Sequence, residues 1–84
     1  MQLQIKQLMK NYNYFIKRNY NGEKFLDSDS FYKGTKEQQE IWIRAFQEIA
    51  WELSTLRTQI EPLLGREMTN IEILEGFKEV GGDE

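Results

Sequence analysis

Between residues 42 and 60 the apolar side chains fall at Trp42, Phe46, Ile49, Leu53, Leu56 and Ile60. Alternating steps of four and three make a heptad seam, which predicts one long helix with a greasy flank. At about 100° per residue, with Trp42 at zero, the seam spans roughly 320° to 40° while Trp51 stands near 180°. A large ring on the polar flank is costly unless something covers it. Its own chain is the expected cover, through the 21–34 connection or a third helix. A second copy and a foreign protein are the other two.

Upstream, residues 3–20 read as an amphipathic helix. Ile5, Leu8, Met9, Tyr12, Phe15, Ile16 and Tyr20 share one side. Lys6, Lys10, Asn13 and Lys17 gather within about 40° on the other. Asn21-Gly22 predicts the stop, because both residue types tolerate the left-handed conformation that ends helices. Residues 21–35 then form a connection, with a single helical turn expected near 30–33. Its Asp27-Ser28-Asp29-Ser30 run suits turns and caps.

Thr35 and Gln38 are spaced as a capping box, opening a helix over about 36–60. Pro62 predicts its end or a kink, since the residue before a proline is pushed out of helical geometry. Thr69 and Glu72 form a second capping box that opens a third helix over about 70–80. There Ile71, Ile73, Leu74, Phe77 and Val80 face one way, and Glu72, Glu75 and Glu79 the other. Residues 81–84 read as a frayed tail. No run alternates β-branched and polar residues, so no strand is expected. The fold class is all-α: a small helical bundle, made of a long antiparallel helical hairpin plus a short C-terminal helix. Ile5, Leu8, Tyr12 and Phe15 are expected to pack on Trp42, Phe46, Ile49 and Leu53.

At 84 residues the chain is a single small domain (1–84) with a thin stability margin, and self-association is one route to more buried area. Starting at Met and lacking a linker, it reads as a whole small frame of the kind frequent in phages and mobile elements. The absence of cysteine, of an 18-residue apolar run and of a signal-peptide core points to a soluble, cytoplasmic protein. The net charge of −3 is unevenly spread: residues 1–24 carry +4 and residues 25–84 carry −7. A basic first helix beside acidic partners accounts for it, and so do head-to-tail association or two different partners.

Chemistry finds little support. With no histidine and no cysteine, the usual general base and the strongest nucleophile are missing. Glu37, Glu40, Glu48 and Glu52 recur at helical spacing, but paired metals in bundles typically add Glu-x-x-His ligands. Asp27-Ser28-Asp29 opens like a calcium loop, yet Tyr32 stands where glycine is needed and Gln38 where the bidentate glutamate belongs. No enzyme, metal or cofactor is expected.

The expected function is a non-enzymatic protein-binding module, a small regulator or inhibitor that occupies a partner's surface. Trp51, Arg44 and Ile43 are the expected apolar anchors, and Glu72, Glu75 and Glu79 the steering charges. Another protein is the expected partner and a homo-oligomer the next, including a self-assembling structural subunit. The alternative is a nucleic-acid-binding regulator using Lys6, Lys10 and Lys17. A pI near 5 argues against it.

Overall fold

The computed structural model describes residues 3–78, and among them the regular elements are all helical. In chain order they are α1 (Leu3–Leu26), α2 (Asp29–Tyr32), α3 (Lys36–Leu64) and α4 (Asn70–Glu75). Helices α1 and α3 pack antiparallel as a hairpin, Tyr12 lying by Leu56 and Phe25 by Trp42. The expected seam is there, but its weight is uneven. Leu56 and Ile60 are buried with Ile5, Met9 and Tyr12 at the open end of the hairpin, joined by Met68 and Phe77 from beyond α3. Phe46, Ile49 and Leu53 are only half-buried. Trp42 belongs to a separate aromatic group at the loop end, with its ring 4.8 Å from Phe25 and 5.9 Å from Phe31.

Helix α1 does not stop at Asn21-Gly22 but continues about one further turn to Leu26. Neither residue has a positive φ. Gly22 serves a different purpose, because a Cβ there would lie 2.7 Å from Cδ1 of Phe46. The missing side chain lets α3 approach, and ring packing offsets the roughly 1 kcal/mol that glycine costs inside a helix. The expected connection 21–35 therefore shrinks. Ser28 caps α2, which begins one residue earlier than expected at Asp29.

The Thr35 capping box is formed: Gln38 N–H donates to Thr35 Oγ1 and Thr35 N–H to Gln38 Oε1. Helix α3 then runs unbroken for 29 residues, about 43 Å. It passes Pro62 and closes at Gly65, with φ 73°. Glu61 explains the extra turn. Its carbonyl accepts the Gly65 N–H, and its carboxylate accepts the Met68 N–H at 2.8 Å and Arg57 Nε at 2.9 Å. Leu64 packs against the core on the same turn. These contacts outweigh the local bias set by the proline.

The third helix is shorter than 70–80. It starts on the expected Thr69–Glu72 capping box but ends at Glu75, because Gly76 takes φ 85° and ψ −167°, a conformation open to glycine. The chain turns back there and inserts Phe77 into the core, ring edge toward Tyr12 at 5.7 Å. Of its apolar residues only Ile73 packs inward, whereas Ile71 and Leu74 remain exposed. Val80 and the tail at 81–84 lie outside the described residues.

Candidate functional site

Trp51 is 72% exposed. Neither the connection nor α4 covers it, which overturns the expected intramolecular lid. The reason is topological. Helix α4 settles on one face of the hairpin, against Tyr12, Asn13 and Ile16, and leaves the opposite face open. Trp51 stands at the rim of that open face.

Spacing builds the open face directly. On α3, Ala45, Glu48, Ile49 and Glu52 follow one another at steps of three and four, with Trp51 beside them. On α1, Phe15 and Arg18 stand opposite. Together they line a shallow groove of about 440 Å³. Arg18 also lines the next stretch, about 260 Å³, where Gly22, Phe25 and Phe46 form the floor. The Arg18 guanidinium lies 5.6 Å from the centre of the Tyr14 ring and donates from Nη1 to Tyr14 Oη at 3.3 Å. Tyr14 in turn meets Phe15 edge-on.

The two edges of this plank carry opposite charge. Lys6, Lys10, Lys17 and Lys24 follow the outer edge of α1 within about 40° of one another. Glu37, Glu40 and Glu48 follow the outer edge of α3, with Arg44 among them. Asn13, expected on the lysine side, is turned instead toward Phe77.

The expected anchors are not brought together. Arg44 shares the outer edge of α3 with Trp51 but does not line the groove, and the cation–π contacts among the described residues involve Tyr14 and Tyr20 instead. Ile43 is on the far side of the helix, the side whose Ala50 and Ser54 line the cleft beside α4. Of the steering charges, Glu72 and Glu75 are also on that face. Glu72 is committed internally: Arg66 grips both of its oxygens at 2.9 and 3.0 Å, and the Thr69 N–H donates to Oε1. Chiefly through Arg66, its pKa is drawn from 4.5 down to about 2. Glu75 is exposed and borders a cleft with Lys17, Tyr20 and Leu74. Glu79 lies outside the described residues.

Sequence reasoning missed Phe15, Arg18 and Glu52 as neighbours of Trp51, whereas Glu48, one turn before it on the same helix, follows from spacing alone. A signal existed in Arg18, a cation about 80° or more away from the lysine stripe of its own helix. Among the described residues no group of three carboxylates is placed to hold a metal ion, and no helix is long and apolar enough to cross a membrane. The chain matches no protein-family profile, no characterised protein and no solved structure.

Proposed function

We propose that the chain is a non-enzymatic protein-binding module, a small regulator or inhibitor that works by occupying another protein surface with the open face of its hairpin. One observation carries the reading: a tryptophan 72% exposed on the rim of a groove, held by a continuous 29-residue helix. A tryptophan left largely in water contributes little apolar burial to its own fold. In an interface it removes a large area from water at small entropic cost. The half-buried Phe15 and Ile49 beside it supply an apolar floor, and Arg18, Glu48 and Glu52 a polar rim.

A comparison of immobilised wild-type protein with Trp51→Ala and Ile43→Ala variants tests this. Selective loss of captured protein with Trp51→Ala, while Ile43→Ala on the opposite face retains it, is the expected outcome. Equal capture by all three refutes the anchor role.

A second reading rests on the lysine stripe of α1. Lys6, Lys10, Lys17 and Lys24 span about 27 Å of one edge, a spacing that suits a phosphate backbone. A gel shift at low salt with mixed duplexes separates the two, because absence of retardation at micromolar protein removes the nucleic-acid reading.

A further inference from the structure

We infer that the occupant of the open face is a second copy of this chain, related by a two-fold axis parallel to α1 and α3, so that two hairpins complete an antiparallel four-helix bundle. The inference rests on the open face being a protein-docking surface, and it names the occupant.

Architecture supplies the first argument. A layer of helices buries its apolar side against a second layer. Here α4 and Phe77 do this at one end of one face, leaving Phe46 and Ile49 half-buried on the other. With α1 24 residues long and helices about 10 Å wide, the open face has a footprint of roughly 700 Å². That approaches the roughly 800 Å² per partner of an ordinary stable interface.

Charge supplies the second argument and selects the axis. A two-fold perpendicular to the helices, lying in the interface, would set α1 on α1 and α3 on α3, like charge on like. A two-fold along the helices sets each α1 on the α3 of the other copy, basic edge on acidic edge. This operation leaves height along the bundle unchanged. Arg18 lines the same stretch of groove as Glu48 and Glu52. It therefore stands level with those carboxylates of the other copy. Among the described residues none of the three has an ion pair within its own chain. Trp51 comes to rest near the Phe15 and Arg18 of the other copy, where stacking and cation–π contact are both available. Each helix is then antiparallel to both neighbours, and the symmetric interface closes at two copies.

Sedimentation equilibrium between about 5 and about 500 µM tests the assembly, since mass action reveals a dimer across that range. Wild-type protein is expected at twice its 10.1 kDa chain mass. Arg18→Glu alone, and Glu48→Arg with Glu52→Arg, should each weaken association by about tenfold or more. An equimolar mixture of the two charge-reversed proteins should regain the dimer mass, because every charge contact between the two copies is again of opposite sign. Circular dichroism follows folding. A variant that loses helix alone is judged in the mixture, where recovered helix and mass support the geometry and no recovery overturns it. A wild-type monomer at every concentration overturns the inference. So does a dimer indifferent to charge reversal. If the monomer still captures protein in a Trp51-dependent way, the docking face stands and only its occupant is wrong. If Trp51→Ala changes neither assay, both readings fall.

Discussion

Asn13 holds Phe77 by both of its backbone groups: Nδ2 donates to the Phe77 carbonyl at 2.8 Å, and the Phe77 N–H donates to Oδ1 at 2.6 Å. One side-chain amide thereby satisfies a chain segment that has left its helix and has no ladder to join. Gly76 completes the arrangement, since a Cβ there would collide with that same amide. Nearby, the Tyr12 hydroxyl donates to the Ile73 carbonyl at 2.8 Å. Two residues of α1 therefore fasten the C-terminal segment. Burial pushes the Tyr12 phenol above its ordinary pKa.

Asn13→Ala removes both partners of the Phe77 backbone at once. We expect a loss of about 2–3 kcal/mol, the sum of one lost donor and one lost acceptor next to the core. Hydrogen exchange should show the loss first at residues 73–77, ahead of α3. Uniform loss along the chain would contradict this latch.

Gly22→Leu tests the close approach of α1 to Phe46. Although leucine is a better helix former, the side chain needs the space the ring occupies. Overpacking should lower stability by about 1–3 kcal/mol in denaturant titration. A stabilised variant would mean that Gly22 is incidental.

Trp51→Ala should leave the isolated protein nearly unchanged, with Tm moving by about 3 °C or less, because an exposed ring loses little on truncation. Ile60, fully buried, is the contrast, and Ile60→Ala should cost about 2–5 kcal/mol. Thermal melts of the two variants at low concentration, where self-association is absent, make the comparison. A large drop for Trp51→Ala would reassign it to the fold.

Acid should loosen α4. The Glu72 pKa is lowered on folding, so its contribution is fully present above about 4.5 and is lost as pH falls toward about 2. Glu61 is shifted in the same direction, first by the Met68 N–H and then by Arg57. Glu72→Gln should flatten the pH dependence of Tm across that window. An unchanged slope would show that the Arg66 pair contributes nothing to stability.

Much of this molecule is local and hence readable along the chain. Both capping boxes depend on side chains three residues apart, and the seam from Trp42 to Ile60 depends on helical pitch alone, so periodicity identifies them. The polar rim position of Trp51 follows from the same arithmetic. Tertiary contacts decided the rest. Gly22 looks like a stop until Phe46 is seen to need its empty flank, and Pro62 until Glu61 is seen to secure the turn beyond it. Gly76 and Phe77 fit a longer helix until Asn13 supplies better partners. Likewise, no one-dimensional pattern states which face of the hairpin α4 covers, and that choice left Trp51 in the open. Caps and pitch act within one or two turns, and the Glu61 contacts that carry α3 past Pro62 reach little further, whereas the outcomes at Gly22, at Phe77 and on the face α4 covers depend on groups tens of residues apart competing for the same backbone and the same space.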